Sequence, residues 1–410
     1  MNVAMLSPVA PAHGKGGVQD IVWSLATGLA ARGHAVTLFT TSRTDGVGVG
    51  LELGVDVRYV AGTPPMRATG TWEGATRKLV AELHRRTPLD VIHSQSFCGL
   101  HLIGALPGVP VVASLHGTHV DEMRTMRTLF REGLAGLPRV SAARDALRAV
   151  VVWWWMRGRF AREGARLRHA DGVIATSREQ RAILARDYAV PEARLHDVWN
   201  GIDVAAFAPA PRTSEALAQL GAEDGHPLVL AVARLYQDKG IQHLLRAWPR
   251  VRARVPGAAL AVVGDGPYRA TLEALRDELG LGASARFAGA APFAALPALY
   301  AACDVFVNPT VRINGYDLTI LQAMAAERPV VVSNIGSVPT AVADGVDGVL
   351  VPPGDAAALA DALVALLGDA PRRAALGAAA RRTVVERFSL DAMVEGTLAV
   401  YLAARREVPA

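Results

Sequence analysis

The sequence is poor in cysteine and lysine, and each shortage excludes a class of protein. Its 410 residues include only two cysteines, Cys98 and Cys303. Two isolated thiols without metal-ligand spacing argue against a disulfide framework and for a reducing cytoplasm. The only lysines are Lys15, Lys78 and Lys239, and the other basic residues are scattered arginines. A net charge of +5 without a basic tail therefore predicts no nucleic-acid partner.

Long hydrophobic runs are missing as well. No apolar stretch reaches the ~18 residues that a membrane-spanning helix needs. Met1 leads into a short strand and a glycine loop rather than a signal peptide, so we expect a cytoplasmic protein. The segment 149–168, with three consecutive tryptophans and five arginines, leaves peripheral contact with the inner membrane face open. We favour the simpler interpretation, a helix packed partly into its own domain.

Short apolar runs alternate with amphipathic stretches along the whole chain. Such alternation predicts parallel sheets covered by helices on both faces, and 410 residues exceed one ordinary core. We therefore predict an α/β protein of two doubly wound, Rossmann-like domains, with the boundary near 196–210. The predicted strands are Val3–Leu6, Val36–Thr40, Val57–Val60, Val91–His93, Val111–Ser114, Gly172–Ala175, Leu228–Ala233, Leu260–Val263, Ala285–Phe287, Val305–Asn308, Val330–Ser333 and Val349–Val351. The predicted helices include Val18–Ala31, Trp72–Arg86, Ile241–Val255, Tyr268–Leu279 and Leu390–Arg405.

The most informative segment runs from the strand Val305–Asn308 through a glycine turn at Gly315 into a helix that starts near Leu318. This layout directs backbone N–H groups and a helix dipole at one point, which suits a phosphate. In open parallel sheets, ligands bind beyond the carboxyl ends of the strands, so two facing sheets would share one cleft.

Five further features follow or end predicted strands. Gly16 and Gly17 close the loop after the first strand, and Gly264 follows Val263. Glycines there let the backbone approach a ligand, although tight-turn chemistry also explains them. Arg234 and Lys239 both lie in the segment that follows the predicted strand Leu228–Ala233 and could flank a diphosphate. His116 stands at the end of Val111–Ser114, where a histidine faces the ligand side of the sheet. His93, at the end of its own strand, is a weaker candidate to contact an acceptor.

Together these motifs resemble the retaining glycosyltransferases of family 4, glycosyl transferases group 1, which have the GT-B fold. That family has a Gly-Gly loop, a His-Gly pair, Arg and Lys-Gly, Gly-x-Gly-Pro, and two glutamates separated by seven residues. The chain matches each motif in order, except that Asn314 and Gln322 replace the glutamates. The resemblance implies an acceptor-binding domain of residues 1–197, completed by a C-terminal helix at about 389–410, and a donor-binding domain of residues 198–388.

The resemblance also implies a role for each matched residue. Arg234 and Lys239 would stabilise the leaving diphosphate, and His116 would contact the transferred sugar. The implied donor-binding residues are Gly16, Gly17, Gly264, Asn314, Gly315, Tyr316, Asp317, Leu318, Thr319 and Gln322. Because no Asp/His cluster has metal-site spacing, we predict no essential metal and no cofactor.

Asp317 has two interpretations, because the family usually has glycine at its position. It could cap the helix that follows, since aspartate suits an N-cap. Alternatively, it could bind the donor sugar in place of a lost glutamate. The sequence is compatible with both roles of Asp317.

The expected activity is transfer of a sugar, with retention, from a nucleotide-diphosphate sugar to a glycan, a lipid-linked intermediate or a small natural product. A UDP-sugar is the first expectation and a GDP-sugar the second. The alternatives are a non-catalytic scaffold or partner subunit, which the two amides motivate, and an epimerase or phosphorylase on the same fold. The acceptor and the oligomeric state do not follow from the sequence.

Overall fold

A computed structural model describes residues 1–14, 16–43, 49–134, 154, 157–158, 160–313 and 315–407. Their contacts divide the chain into two compact units. Unit 1 comprises Met1–Arg124, Gly133–Gly201 and Leu390–Ala410, and unit 2 comprises Thr125–Glu132 and Ile202–Ser389. Eight of the twenty residues of the tryptophan- and arginine-rich segment 149–168, including Trp153, Trp155 and Arg159, lie outside the described residues, and its two interpretations stay predictions.

Unit 1 is built on an eight-stranded sheet in the order β3-β4-β2-β1-β5-β6-β7-β8. The strands are β1 Asn2–Leu6, β2 Ala35–Thr41, β3 Val49–Glu52, β4 Val55–Val60, β5 Val91–Gln95, β6 Val111–Leu115, β7 Gly172–Ala175 and β8 Leu195–Asp197. Only the edge pair β3–β4 is antiparallel. The central strands β1, β5 and β6 are buried almost throughout, as expected for parallel strands covered on both faces.

The helices of this part of the chain include α1 Gly17–Ala31, α2 Gly70–Arg86, α3 His119–Leu134, α4 Arg178–Arg186 and α13 Leu390–Glu407. The C-terminal helix α13 packs within unit 1. Tyr401 lies beneath the sheet, and Arg405 pairs with Asp90 at 3.0 Å. A β-carbon on Gly28 of α1 would lie 2.7 Å from Val394, so a glycine lets α1 and α13 pack closely.

Unit 2 contains a six-stranded, entirely parallel sheet in the order β11-β10-β9-β12-β13-β14. Its strands are β9 Leu228–Val232, β10 Ala259–Val263, β11 Ala285–Gly289, β12 Val305–Asn308, β13 Val330–Ser333 and β14 Val349–Val351. Its helices are α5 Ser214–Leu220, α6 Ile241–Arg254, α7 Arg269–Glu278, α8 Leu296–Ala302, α9 Leu318–Ala325, α10 Val338–Ala341, α11 Ala356–Leu367 and α12 Ala370–Arg387.

Side-chain caps start several of the helices in unit 2. Asp355 accepts hydrogen bonds from the N–H groups of Ala357 and Ala358, at 3.0 and 2.9 Å, and so begins α11. Asp369 accepts one from Arg372 N at 2.9 Å and begins α12. These are the contacts that an N-cap aspartate normally makes.

The predicted α/β architecture of two parallel sheets is confirmed. All twelve predicted strands are present, and each of their ends agrees within two residues. The prediction missed β3 and β8, which have four and three residues at or near the sheet edges. Within the described residues, no helix is both long enough and apolar enough to span a bilayer.

Candidate functional site

The predicted cations and glycines of unit 2 lie on three loops that leave adjacent strands at the carboxyl edge of the sheet. In the loop after β9, Leu235 N donates to Asp265 O of the loop after β10, at 2.9 Å. On its other side, the carbonyl of Asp238 accepts from Val311 N at 2.9 Å and from the Thr310 hydroxyl at 3.0 Å. The three loops are therefore joined to one another through their backbones.

Glycines allow this close packing. Gly264 has φ 137°, and a β-carbon there would lie 1.8 Å from Ala233 O. Gly240 has φ 71°, and its β-carbon would lie 1.9 Å from Pro309 O. No side chain fits at such distances, so loop packing alone accounts for both glycines. Approach of a nucleotide to Gly264 stays a prediction.

Arg234 is exposed at the start of the β9 loop and is held by an aromatic side chain. Its Nη2 donates to the Tyr236 hydroxyl at 2.8 Å. Its guanidinium carbon lies 4.9 Å from the centre of the same ring, a cation–π distance. Tyr236 therefore orients the guanidinium while leaving it accessible to an anion.

Lys239 is largely buried, and its ammonium group donates to Asp317 Oδ1 in a short ion pair. The second carboxylate oxygen, Oδ2, accepts from Asn308 Nδ2 at 3.0 Å. The side chains of Lys239 and Asp317 are only 10% and 22% exposed, so solvent screens this pair weakly.

The carboxylate of Asp317 is strongly acidic. Burial raises its pKa, but the charges of Lys239 and Arg312 and the hydrogen bonds from Lys239 and Asn308 outweigh burial and lower the pKa to about 2. Asp317 is therefore ionised at physiological pH, and within the pair its charge balances that of Lys239.

Asp317 occupies the N-cap position of α9, yet its side chain caps no N–H group of that helix. The capping interpretation of this side chain is therefore wrong. The carboxylate turns instead to Lys239 and Asn308, which leaves the start of α9 without a side-chain acceptor. The hydroxyl of Thr319, in the first turn, is buried and has no hydrogen-bond partner among the described residues.

Gly315 and Tyr316 lie in the turn that leads into α9, and Leu318 lies at its start. Gly315 has φ 67°, which suits the turn before α9, and Leu318 is the first residue of the helix. Tyr316 is 8% exposed and packs edge-on against Phe388, with ring centres 6.0 Å apart. Asn314 lies outside the described residues.

Gln322 is buried in α9, and its Oε1 accepts from the Tyr300 hydroxyl at 2.8 Å. Burial raises the pKa of Tyr300 well above its usual value, so the hydroxyl stays protonated and acts as a donor. The amide oxygen of Gln322 is thus bonded inside the protein, whereas its amide nitrogen is the donating end of the side chain.

In unit 1, His116 follows β6 and is oriented by Gln95 at the end of β5. Its Nε2 lies 2.7 Å from Gln95 Oε1 and must donate, because that oxygen can only accept. Burial lowers the pKa of His116 to about 4, so the ring is neutral and Nδ1 carries the lone pair. This Nδ1 is buried without a partner among the described residues, which suits a ligand hydroxyl.

His93 has a different environment. It is fully buried, and its Nδ1 and Nε2 lie 2.6 Å from the Tyr401 hydroxyl and 2.7 Å from the Ser114 hydroxyl. Both nitrogens are therefore occupied by groups of the protein. This geometry does not support acceptor contact and favours a structural role, in which His93 links β5, β6 and α13.

Gly16 and Gly17 stand at the start of α1, with Gly16 at the N-cap and Gly17 as the first helical residue. A β-carbon on Gly16 would lie 2.6 Å from the flexible side chain of Gln19. No side chain caps α1 at this position, so its first N–H groups are left to another acceptor. Lys15 lies outside the described residues.

Sequence reasoning identified Arg234, Asp317, His116 and Gln322 but missed the residues that hydrogen-bond to them, namely Tyr236, Asn308, Gln95 and Tyr300. Tyr236 stands two residues from Arg234 and could have been noticed. The other three contact their partners only after folding. Within the described residues, no group of three or more His, Cys, Asp or Glu side chains could hold a metal ion.

Comparisons with known proteins give the family. The profile "Glycosyl transferases group 1" matches residues 226–369, and "Glycosyltransferase Family 4" matches residues 15–206. The D-inositol 3-phosphate glycosyltransferase of Xylanimonas cellulosilytica is 30% identical over 96% of this chain and 93% of that protein. The chain therefore belongs to family 4 of the glycosyltransferases, group 1, and the resemblance drawn from the motifs is confirmed.

Two further relatives are informative. A GDP-mannose-dependent alpha-(1-6)-phosphatidylinositol monomannoside mannosyltransferase of Mycolicibacterium smegmatis is 34% identical, over 58% of this chain and 63% of that protein. The match thus spans less than two thirds of this mannosyltransferase. Among solved structures, sucrose-phosphate synthase from Thermosynechococcus elongatus superposes with a TM-score of 0.78 at 25% identity, covering 98% of each chain. This likeness confirms the GT-B fold.

Proposed function

We propose that the chain transfers a sugar from a nucleoside-diphosphate sugar to a hydroxyl acceptor, with retention of the anomeric configuration. The carrying observation is the grouping in unit 2 of Arg234, Lys239 and the uncapped start of α9 on joined loops at one sheet edge. Two cations and a helix N-terminus together suit a diphosphate. In this proposal Gly264 and Gly315 allow close approach, and Gly16 and Gly17 add a second uncapped helix start in unit 1.

The proposed chemistry relies on positioning and electrostatics. Arg234 and Lys239 stabilise the diphosphate as its bond to the sugar breaks, and the leaving phosphate oxygen accepts the proton of the attacking hydroxyl. His116 accepts a hydrogen bond from a sugar hydroxyl through Nδ1, which its neutral ring permits. We propose that no metal ion is required.

The donor and acceptor are proposed from relatives. The mycobacterial mannosyltransferase is named for GDP-mannose, which moves a GDP-sugar ahead of the UDP-sugar expected from the sequence. Two relatives are named for inositol-containing acceptors, so an inositol or its phosphate is the acceptor to test first. Glycans and lipid-linked intermediates come next.

Calorimetric titration with GDP, UDP, ADP and dTDP, in the presence of a chelator, tests the donor site. We expect one nucleotide to bind in the micromolar range and Arg234→Ala to weaken it at least tenfold. Arg250→Ala is the matched control, because it removes an exposed arginine of unit 2 that pairs with Asp361 instead. Equal loss in both variants, or no binding at all, would contradict the proposal.

Turnover tests the activity itself. The matching nucleotide-sugar is incubated with and without inositol, and the anomeric proton of the product is observed by NMR. Transfer that needs the acceptor and retains configuration supports the proposal. Isomerisation of the donor without an acceptor would indicate an epimerase, and binding without turnover would indicate a scaffold.

A further inference from the structure

The pairing of Lys239 with Asp317 carries an inference that rests on the proposed donor site. We propose that Asp317 is a built-in anion that occupies Lys239 in the donor-free protein and weakens binding of the diphosphate. It thereby acts as an affinity-setting residue in a site whose chemistry otherwise favours tight binding of a nucleotide.

Asp317 does not cap its helix as other N-cap aspartates of unit 2 do. Asp355 and Asp369 stand at the N-caps of α11 and α12 in the same unit, and both accept from helix N–H groups. Asp317 stands at the N-cap of α9 and accepts from none of them. A contact 78 residues away along the sequence is therefore preferred to the local cap.

Both carboxylate oxygens of Asp317 are engaged by residues of the protein. Oδ1 accepts from Lys239, and Oδ2 accepts from Asn308 at 3.0 Å. To turn toward a sugar, the carboxylate would have to give up the hydrogen bonds from Lys239 and Asn308. This geometry therefore does not support the sequence-based hypothesis that Asp317 replaces a glutamate by binding the donor sugar.

The charge of Asp317 also acts directly on any anion that binds at Lys239. Among the described residues, Asp317 is the one carboxylate that forms an ion pair with Lys239. The pair is largely buried, so the negative charge of Asp317 acts on a nearby diphosphate with little screening. A diphosphate that approaches Lys239 meets a cation whose charge Asp317 already balances. It must therefore share Lys239 with Asp317 or displace Asp317 from it.

Consequently, removal of the charge at position 317 should strengthen binding. Asp317→Asn keeps the shape and the acceptor oxygen but leaves Lys239 unbalanced. We expect this variant to bind inorganic pyrophosphate and the preferred nucleoside diphosphate on the order of tenfold more tightly. The gain should change little as salt is raised, because the charge of Lys239 is largely buried and salt screens it weakly.

The test is calorimetric titration of the full chain and its variants with pyrophosphate, GDP and UDP. Asp361→Asn is the matched control, since it removes an exposed carboxylate of the same unit that pairs with Arg250. Thermal unfolding of each variant establishes that it is folded. Tighter binding in Asp317→Asn alone supports the inference.

Other outcomes are distinct. The inference would be overturned if Asp317→Asn bound the ligands as tightly as the wild type or less tightly. If Arg234→Ala still lost binding, the proposed donor site itself would stand. Weaker binding of the nucleotide-sugar together with unchanged binding of the nucleoside diphosphate would restore the sugar-contact hypothesis. Failure of every variant to bind any of the three ligands would remove the donor site, and the inference with it.

A double substitution separates charge balance from simple positioning. In Lys239→Gln, the cation that Asp317 balances is absent, so a further Asp317→Asn change removes only a repulsive charge. If Asp317 merely held Lys239 in place, Asp317→Asn would weaken binding in the wild-type background and have no effect in Lys239→Gln. If Asp317 sets affinity, as we propose, binding is tighter in both backgrounds.

Discussion

Arg234 and Tyr236 are paired by two contacts: the guanidinium donates to the tyrosine hydroxyl at 2.8 Å, and the guanidinium carbon lies 4.9 Å from the ring centre. Stacking and the hydrogen bond fix the direction of an exposed cation whose side chain would otherwise sample many rotamers. A cation held in one direction loses less entropy when it binds an anion. Tyr236 is therefore a positioning residue for Arg234.

Substitution of Tyr236 should weaken nucleotide binding in two steps. Tyr236→Phe removes the hydrogen bond and keeps the stacking, and Tyr236→Ala removes both. We expect losses of about threefold and about tenfold in affinity for the nucleoside diphosphate, because the contacts are partly exposed. Calorimetry measures both. Tyr59→Phe, at the Arg43–Tyr59 contact of unit 1, is the control and should change nothing.

The glycine after Lys239 offers a matched pair of substitutions. Gly240 and Gly345 both have φ 71°, but a β-carbon on Gly240 would meet Pro309 O at 1.9 Å, whereas one on Gly345 would meet nothing within 4 Å. Gly345→Ala should cost about 1 kcal/mol of unfolding free energy from backbone strain alone. Gly240→Ala should cost about 3 kcal/mol or more, because the loops must separate. Equal losses in chemical denaturation would contradict the loop-packing argument.

Acid should destabilise unit 1 through its buried histidines. Burial lowers the pKa of His93 to about 3, and the positive charge that His116 gains when acid protonates it adds to that lowering. The unfolded chain has a histidine pKa of ~6.5 and so binds more protons below that value. Stability from this residue is complete above pH 6.5 and falls as the pH drops from 6.5 toward 3, by ~1.4 kcal/mol per pH unit.

Denaturant unfolding between pH 7 and 5 measures this slope. His93→Gln should reduce the acid slope, even though it also lowers stability at neutral pH by removing the bonds to Tyr401 and Ser114. His169→Gln, at an exposed position, is the control. The same slope in His93→Gln as in the wild type would contradict the buried, neutral state of His93.

Protonated His119 should stabilise the fold, and this stabilisation should be lost in alkali, in contrast to that of His93, which is lost in acid. Burial lowers its pKa, but the hydrogen bonds and charges of Glu122 and Glu163 outweigh burial and raise the pKa to about 9. The folded protein then binds the extra proton, so this stability is complete below pH 6.5 and lost as the pH rises through 9. Glu163→Gln should flatten the loss between pH 7 and 9. Glu52→Gln, on the edge strand β3, should leave it unchanged.

The sequence was sufficient for the strands, because parallel strands buried on both faces read as short apolar runs, as Val330–Ser333 does. It missed β3, Val49–Glu52, where a glycine and a glutamate interrupt the pattern of a short edge strand. The partner of Asp317 could not be predicted, since local rules favour capping and only folding brings Lys239 to it. For the same reason, His93 was predicted at the ligand edge although Tyr401, 308 residues away, occupies one of its nitrogens.

The amide at Gln322 leads to the last prediction. Its Oε1 accepts from the Tyr300 hydroxyl, so the side chain presents an amide donor where a family glutamate would present a second acceptor oxygen. If Gln322 lies beside the ribose, as the family resemblance implies, Gln322→Glu supplies an acceptor for a ribose hydroxyl while Tyr300 still donates to the other oxygen.

We therefore expect Gln322→Glu to bind the ribonucleotide about threefold to tenfold more tightly, because hydrogen bonds to a charged acceptor exceed neutral ones by ~1 kcal/mol. Binding of the 2′,3′-dideoxy analogue should not improve, since it lacks both hydroxyls. Calorimetry with the two nucleotides measures the difference. Tyr300→Phe is the companion variant, because it releases the amide oxygen of Gln322 without adding charge and should give a smaller gain with the same dependence on the ribose hydroxyls. Equal gains for both nucleotides would mean that Gln322 does not contact the ribose and that its amide serves the packing of α8 and α9 instead.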